Sequence, residues 1–300
     1  MITRWTICLL MLFAPLASAK DFILAIGAPG TKDYQTLFDQ QAEDWRKALA
    51  DTFDVHTVTN KVTFQKTIEA SESELWILML GHGTDDGKYP RFNFRGPDLA
   101  PDELMAWLEP RTNHTVLVNC TAASAAFLST LSAPKRTVIS ATRSGTETSF
   151  SHFGTFLTQA LRERETADLD KDHALSLLEA FLYAARRVTE FYEADGRIQT
   201  ETALIDDNGD KKGSQSDWFA GSRPIPGKTR EGKTDGNAAM QQTLLPAKNA
   251  IELTDSEREQ RNALEQQLFA LREQRSNLGD EAYFAQLEGL LLKLSPFYLK

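Results

Sequence analysis

Short runs of almost uniformly apolar residues constrain this chain most. They occur at residues 22–27, 75–80 and 115–119, and segments with helical spacing of apolar residues separate them, such as residues 34–50. A strand with one face in water alternates apolar and polar residues, whereas a parallel strand covered on both faces is apolar throughout. The sequence therefore predicts an α/β fold of three layers, with a mostly parallel sheet between two layers of helices.

Charge and hydropathy exclude two classes of partner. The 300 residues carry a formal net charge of −9, so no overall basic field attracts a nucleic acid. Beyond the first residues, no apolar run reaches the length of about 20 residues that a membrane helix needs. We predict neither nucleic-acid binding nor a membrane span.

The first nineteen residues have the organisation of a signal peptide. Arg4 supplies a positive charge, residues 7–12 form an apolar core, and Ala17-Ser18-Ala19 is a small-residue cleavage site. We predict a signal peptide at 1–19 and an exported protein, periplasmic or secreted. An uncleaved anchor is the alternative interpretation.

The C-terminal third differs in composition from the rest of the chain. Residues 213–250 are rich in Gly, Ser, Thr, Lys and Pro, and we predict a flexible linker or long loop there. Residues 251–300 are predicted to form a helical hairpin. Its first helix begins at a capping box of Thr254 and Glu257, and its second ends before Pro296.

Each predicted helix of the hairpin carries an apolar stripe. The ordinary interpretation is that the stripes pack on each other or on the sheet domain, and contact with a partner is the alternative. The stripes consist of Leu264, Leu268, Leu271 and Leu278 on the first helix, and of Leu287, Leu290, Leu291 and Leu294 on the second.

A histidine and a cysteine each follow one of the buried-strand runs. His82 follows residues 75–80, and Cys120 follows residues 115–119; the other cysteine, Cys8, lies in the predicted signal peptide. The mature chain thus has no partner for an intrachain disulfide. Because the carboxyl ends of parallel strands meet at one edge of the sheet, about 4.8 Å apart, we expect the two side chains to face one another.

This pair is typical of nucleophilic catalysis. We predict a helix at 122–131, whose N-terminus would favour the thiolate of Cys120 and lower its pKa. The amides of Gly83 and Cys120 would bind the oxyanion of a tetrahedral intermediate. Considered by itself, a lone cysteine after a strand is more often a small buried apolar residue.

The motifs resemble the caspase-like cysteine peptidases of clan CD. The chain is most similar to the legumain family, which also contains the catalytic subunit of the glycosylphosphatidylinositol transamidase. In that family four apolar residues precede both the His-Gly and the Cys motifs, and the separation of 120 − 82 = 38 residues in this chain is compatible with it. The segment Asn119-Cys120-Thr121-Ala122-Ala123-Ser124 is similar to its cysteine motif, with Asn119 departing from the usual residue. The resemblance covers residues 21–201.

The resemblance implies a caspase-like catalytic domain over residues 20–212. It implies an endopeptidase with a His82–Cys120 dyad, which cleaves peptide or protein substrates through a thioester and requires no cofactor. A peptide transamidase and a catalytically inactive, calcium-stabilised scaffold are the alternatives. The residues that the resemblance places at the substrate pocket are Ser140, Thr142, Arg143 and Glu147; the last two are also suited to a surface ion pair.

An acidic loop before residue 180 matches a calcium-binding pattern. Oxygen ligands fall at loop positions 1, 3, 5, 7, 9 and 12, and His173 occupies the position where glycine with a positive φ is usual. A structural Ca²⁺ is predicted, and the alternative is an acidic helix N-terminus. The predicted ligands are Asp168, Asp170, Asp172, the carbonyl of Ala174, Ser176 and Glu179. A second acidic segment, residues 206–210, is predicted to be a solvated turn.

Overall fold

The computed structural model describes residues 20–225, 227–228, 235–251, 253–275 and 277–299. The predicted signal peptide lies outside the described residues. Within them, no helix is both long and apolar enough to cross a membrane.

Thirteen strands and ten α-helices are described, with one 3₁₀ helix at Ser216–Trp218. The strands are β1 Lys20–Ile26, β2 Phe53–Val58, β3 Leu75–Leu80, β4 Gly83–Thr84, β5 Arg91–Phe92, β6 Thr115–Asn119, β7 Arg136–Ser140, β8 Leu175–Ser176, β9 Leu204–Asp206, β10 Ser214–Gln215, β11 Phe219–Ala220, β12 Arg223–Pro224 and β13 Thr243–Leu245. The helices are α1 Lys32–Leu49, α2 Lys61–Ala70, α3 Pro101–Leu108, α4 Ala125–Leu131, α5 Phe153–Arg162, α6 Arg164–Ala167, α7 Leu177–Ala194, α8 Asn237–Gln241, α9 Asp255–Glu273 and α10 Asp280–Tyr298.

A seven-stranded sheet forms the middle of the molecule. Its strand order is β10-β9-β7-β6-β3-β1-β2. The five strands β1, β2, β3, β6 and β7 run parallel, and β9 and β10 extend the sheet antiparallel. Strands β3 and β6 are direct neighbours, with Met79 opposite Asn119. The predicted three-layer α/β class with a mostly parallel sheet is confirmed, and the carboxyl ends of β3 and β6 lie side by side.

The alternation of side chains divides the core into two layers. On β3, Trp76, Leu78 and Leu80 belong to the core shared with α1, α5 and α7. Leu75, Ile77 and Met79 belong to the core shared with α2, α3 and α4. We call the first core the α1–α5–α7 layer. Its members also include Phe38, Cys120 and Phe153, so Cys120 projects from β6 toward α5.

The described part of residues 213–250 is a long connection that carries short elements. Strand β10 pairs with β9 at the edge of the sheet, and β13 pairs with β8. The side chain of Asp235, which is 2% exposed, accepts hydrogen bonds from the β9–β10 turn. These contacts attach the connection to the sheet domain.

The C-terminal segment consists of two helices, α9 and α10, that pack on each other. Thr254 caps α9, and Glu257 completes the capping box. The prediction that the second helix ends before Pro296 was wrong, because α10 continues to Tyr298. Proline removes the amide that would bond the Leu292 carbonyl. The Ser295 hydroxyl donates to that carbonyl at 3.0 Å instead.

Candidate active site

The segments that carry His82 and Cys120 are in direct contact. The amide of Cys120 donates to the carbonyl of Met79 at 3.0 Å. A Cβ at Gly83 would lie 2.2 Å from the carbonyl oxygen of Ala122 and 2.5 Å from the hydroxyl of Thr121. Only glycine permits so close an approach of the two backbones.

The ring of His82 is held by one carbonyl and three aromatic side chains. Its Nε2 lies 3.1 Å from the carbonyl oxygen of Pro29, in the turn after β1. Because a carbonyl oxygen only accepts, Nε2 carries a proton and Nδ1 of the neutral ring is left as the acceptor. The ring centroids of Tyr34, Phe38 and Phe150 lie 4.6, 5.5 and 5.7 Å from that of His82. The orientation of the imidazole is therefore fixed.

Sequence reasoning missed the role of Pro29. A main-chain carbonyl leaves no signature in the choice of side chain, so only the course of the backbone identifies it. Gly27, two residues earlier, indicates a tight region, because a Cβ there would lie 2.8 Å from the carbonyl oxygen of Asn93.

Cys120 is buried beneath α5. The residue is 4% exposed, and the backbone of Gly154 passes so close that a Cβ there would lie 2.8 Å from Cys120 Cβ and 3.5 Å from its sulfur. Burial, with a smaller contribution from the charge of Glu201, raises the pKa of the Cys120 thiol. In this arrangement the thiol is protonated at neutral pH. Within the described part of the chain, no hydrogen bond joins it to His82.

The prediction that a helix N-terminus lowers the pKa of this thiol was wrong. Helix α4 begins at Ala125, and residues 121–124 form turns. Ala123 has a φ of 53°, and its amide donates to the carbonyl of Glu147. The positive ends of the first amides of α4 therefore do not act on Cys120, and burial determines its pKa.

The two amides predicted to form an oxyanion hole differ in availability. The Cys120 amide is already bonded to Met79, so it does not point at an oxyanion position in this arrangement. The Asn93 amide donates to the His82 carbonyl, which makes Gly83 and Phe92 a non-hydrogen-bonded pair of β4 and β5. The Gly83 amide consequently points away from β5. Of the Gly83 and Cys120 amides, it is the better placed to donate to an oxyanion.

Two of the predicted pocket residues are internal. Ser140 and Thr142 are fully buried. The Ser140 hydroxyl donates to the Thr142 carbonyl, and the Thr142 hydroxyl oxygen accepts the amides of Ser124 and Ala125. Thr142 thus satisfies the first amides of α4 in the manner of a helix cap. These contacts connect the end of β7 to α4.

The other two predicted pocket residues form an ion pair. Arg143 Nε lies 3.3 Å from Glu147 Oε1, and Glu147 Oε2 accepts the amides of Arg143 and Thr202. Burial raises the pKa of Glu147, and these partners oppose that effect. The pair fixes the loop of residues 143–152, which runs past the ends of β3 and β6 and carries Phe150 onto His82.

Glu201 is a buried carboxylate that sequence reasoning missed. It is 2% exposed and accepts hydrogen bonds from the Ser151 hydroxyl and from the amides of His152 and Phe153. Burial raises its pKa. Glu201 therefore fixes the start of α5, the helix that places Gly154 on Cys120. It lies in a polar tract without apolar periodicity, which gave no signal in the sequence.

The acidic loop before α7 brings three of its six predicted ligands together. One carboxylate oxygen from each of Asp168, Asp170 and Asp172 lies within 4.8 Å of the others. Oxygens around one Ca²⁺ at 2.3–2.6 Å lie within about 5 Å of each other, so these three fit one ion. His173 has a φ of 66°, as its position in the loop predicts. Burial and the charge of Asp172 raise the pKa of Asp170 to about 6.

Two of the remaining predicted ligands take part in a helix cap. Ser176 caps α7, and Glu179 completes the capping box. Glu179 Oε1 accepts the amide of Leu169, and Oε2 accepts the amide and hydroxyl of Ser176. The predicted bidentate Glu179 ligand is thus engaged with the loop backbone. Ala174, whose carbonyl is the other predicted ligand, donates its amide to Asp172.

The second acidic segment leads into the β9–β10 turn, but it is not simply solvated. Asp206 is fully buried and accepts a hydrogen bond from the Ser132 hydroxyl at 2.6 Å. Asp235, distant in sequence, packs beside it and accepts from the Ser214 hydroxyl. Burial, then the charge of Asp207, raises the pKa of Asp235 to about 8. The predicted solvation was wrong, because it considered only local charge and not the distant Ser132 and Asp235.

Comparison with known proteins yields distant structural likenesses and no sequence match. No family model and no curated protein matches this chain. Among solved structures, it is similar to the chain titled "Crystal Structure of drICE", with 12% sequence identity and a TM-score of 0.40. The match covers 63% of this chain and 87% of that one. A likeness at this level concerns the course of the backbone and carries no argument about chemistry.

Proposed function

We propose that this protein is a cysteine peptidase in which His82 and Cys120 act as base and nucleophile. The supporting observation is that both residues leave neighbouring parallel strands at one edge and on one face of the sheet. His82 contacts Phe38 of the α1–α5–α7 layer, to which Cys120 also belongs. The bond to Pro29 leaves His82 Nδ1 as the proton acceptor.

The reaction follows from these roles. The Cys120 thiol transfers its proton to His82 Nδ1, and the sulfur attacks the carbonyl carbon of a peptide bond. The Gly83 amide donates to the oxyanion that forms. His82 then returns the proton to the leaving amine as the C–N bond breaks, which produces a thioester. Hydrolysis of the thioester restores the thiol, and no cofactor takes part. The finer assignment to a legumain-like endopeptidase depends on the sequence motifs and stays a prediction.

The proposal requires an opening step. Cys120 is 4% exposed, so a peptide carbonyl cannot reach its sulfur in the described arrangement. Gly154 at the start of α5 lies against the sulfur, and Phe150 of the loop of residues 143–152 covers one side of His82. Movement of the loop together with the start of α5 would expose the thiol to water, and its pKa would fall because burial is the main cause of its increase.

Activity-based labelling tests the proposal. We expect an acyloxymethyl-ketone peptide set to label the wild type, to leave Cys120→Ala unlabelled, and to label His82→Ala at least about 100-fold more slowly. His56→Ala is the matched control and should label at the wild-type rate, because His56 is a partly exposed histidine on β2 that lies beside Asp21 and Asp54. Equal labelling of the wild type and His82→Ala would contradict the dyad.

The burial of Cys120 favours a second candidate, a non-catalytic scaffold. Its raised thiol pKa and its bonded amide are the properties of a structural cysteine. In a scaffold, the thiol would react only at the rate of global unfolding, and His82→Ala would change reactivity no more than it changes stability. Comparison of the alkylation rate with the unfolding rate in urea distinguishes the candidates.

A peptide transamidase is the remaining alternative from the sequence. It shares the thioester, but an amine replaces water in the second step. Mass spectrometry of products formed with an added amine nucleophile would show ligated peptides for a transamidase and free carboxylates for a peptidase.

The calcium and export predictions have separate tests. If Asp168, Asp170 and Asp172 bind Ca²⁺, saturating Ca²⁺ should raise the melting temperature by several degrees, and Asp170→Asn should abolish that increase. Asp102→Asn, an exposed acid on α3, is the control. If residues 1–19 are a signal peptide, N-terminal sequencing of the exported protein should begin at Lys20.

A further inference from the structure

Helix α10 has two apolar faces, and only one of them is covered. Tyr283 and Leu294 are buried on the inner face, where α10 packs against α9. Eight large apolar side chains are exposed among the described residues, and five of these belong to α10 and its C-cap. One of the five, Tyr298, donates its hydroxyl to Glu265 on α9 and so lies toward that helix. We call the other four the outer face. They are Phe284, Leu291, Leu292 and Leu299, with exposures of 55, 49, 67 and 80%.

The outer face is a continuous stripe. At about 100° per residue, its four members occupy a sector of about 100°, centred about 120° from the inner face. Single exposed apolar residues are ordinary on a protein surface, but a contiguous patch of this kind marks a binding surface. A helix that is apolar on two faces is expected to be covered on both.

The order of residues along the stripe is symmetric. Its midpoint falls between Leu291 and Leu292, and Phe284 and Leu299 lie about 11 Å on either side of it. Glu288 and Ser295, the polar residues within the stripe, are also equidistant from the midpoint. The sequence of the outer face therefore reads apolar, polar, apolar pair, polar, apolar in both directions.

We propose that two copies of this chain associate through the outer faces of their α10 helices, antiparallel about a two-fold axis at Leu291 and Leu292. In this arrangement Phe284 packs on Leu299 of the second copy, and Glu288 lies beside Ser295 of the second copy. A two-fold interface must be self-complementary, and the symmetric order of residues along the stripe meets this requirement. Parallel pairing would instead place Glu288 against Glu288, with repulsion between like charges.

The available area sets the expected strength. Side chains of this size have areas on the order of 200 Å², so the exposed fractions of the four residues leave about 500 Å² per copy. The total of about 1,000 Å² lies at the lower limit for a specific interface. We expect a dimer with a Kd of about 1–100 µM, since area alone does not give tight binding.

Sedimentation velocity over a range of concentrations tests the association. The wild type should pass from monomer to dimer as its concentration rises through the micromolar range, and Leu291→Glu should remain a monomer. Val62→Glu, at a 61% exposed position on α2, is the control and should dimerise like the wild type. Circular dichroism should show unchanged helicity in both variants. A wild type that stays monomeric at about 100 µM overturns the proposal, as does a Leu291→Glu dimer.

Cross-linking tests the antiparallel register, in a background of Cys8→Ser and Cys120→Ser. A disulfide needs Cα atoms about 4.4–6.8 Å apart. Leu291→Cys alone, at the axis, should give a disulfide-linked dimer, as should Phe284→Cys combined with Leu299→Cys. Phe284→Cys alone should not. A cross-linked dimer of Phe284→Cys alone would contradict the antiparallel arrangement.

Vesicle binding by the monomer, lost in Leu291→Glu, would assign the face to a membrane surface instead.

Discussion

The ends of β3 and β6 lie side by side, but His82 and Cys120, which follow them, lie in different environments. His82 is half-buried, and one carbonyl and three aromatic rings fix its imidazole in the tautomer that leaves Nδ1 as acceptor. Cys120 is buried against Gly154 and Leu80, with its thiol pKa raised. The base is positioned and the thiol is covered. Access to the thiol is therefore controlled from the side of α5 and the loop that precedes it, because His82 is already positioned.

The contact between the two strand ends is the feature most sensitive to substitution. In Gly83→Ala, the new Cβ would lie 2.2 Å from the Ala122 carbonyl oxygen, so the backbones must separate. We expect a destabilisation of about 1–3 kcal/mol from overpacking. Activity should fall about 100-fold, because displacement of reacting groups by 1 Å has effects of that size. Urea unfolding and peptidase assays measure the two quantities.

Gly289→Ala is the matched control for Gly83→Ala. A Cβ at Gly289 meets no atom within 4 Å, and the residue lies inside α10. Alanine there should stabilise the helix by up to about 1 kcal/mol and leave activity unchanged. A Gly83→Ala protein with wild-type activity would show that the two strand ends need not touch.

The difference in protonation between the two ends predicts a pH dependence. Because burial raises the thiol pKa of Cys120, its alkylation rate should rise about tenfold per pH unit from pH 6 to 9.5, without a plateau near neutrality. A plateau below pH 8 would mean that the thiol is already exposed or paired with His82. Iodoacetamide labelling followed by mass spectrometry gives this profile.

The same raised pKa predicts a loss of stability in alkali. The unfolded thiol ionises above its ordinary pKa of about 8.5, whereas the folded thiol stays protonated. Its contribution to stability is thus fully present below about pH 8.5 and decreases as the pH rises above that value. The loss should be about 1.4 kcal/mol per pH unit. Urea unfolding of the wild type and Cys120→Ser between pH 7.5 and 10 isolates this term, because other groups titrate alike in both.

The sequence was sufficient for the features that depend on local pattern. Apolar runs identified β3 and β6, their carboxyl ends identified His82 and Cys120, and the capping box located the start of α9. The positive φ of His173 also followed from its position in the acidic loop. In each case the signal and the structure lie within a few residues of each other.

Features that depend on distant segments could not be predicted. Residues 121–124 favour a helix by composition, but the Ala123 amide bonds to Glu147 and the residue takes a positive φ. Tertiary contacts override helix propensity there. Pro29 acts through its carbonyl. Glu201 follows α7 in the chain, yet it accepts hydrogen bonds from the start of α5. The burial of Cys120, which decides its protonation, is likewise a property of the assembled layer.

Phe150 tests whether the loop of residues 143–152 controls access. Its ring packs against those of Tyr34 and His82, with centroid distances of 4.7 and 5.7 Å. Phe150→Ala should raise the alkylation rate of Cys120 about fivefold at pH 8 and cost about 1–2 kcal/mol of stability, since the residue is only partly buried. Phe156→Ala, a partly buried aromatic residue of α5 that contacts Phe191, is the control. Equal rates in the two variants would mean that general loosening, and not the aromatic cover, governs access.

Glu201 is expected to have the smallest effect on the thiol. Its charge is the lesser cause of the raised pKa of Cys120, so Glu201→Gln should lower that pKa and speed alkylation by no more than about threefold. The substitution also disturbs the bonds to Ser151 and Phe153, and loosening of α5 would speed alkylation as well.

The charge of the reagent separates these causes. Removal of a negative charge should favour anionic iodoacetate over neutral iodoacetamide, whereas loosening should favour both alike. Ser151→Ala, which disturbs the same bonds and keeps the charge, should therefore leave the ratio of the two rates unchanged. If Glu201→Gln also left it unchanged, burial alone would account for the protonated thiol.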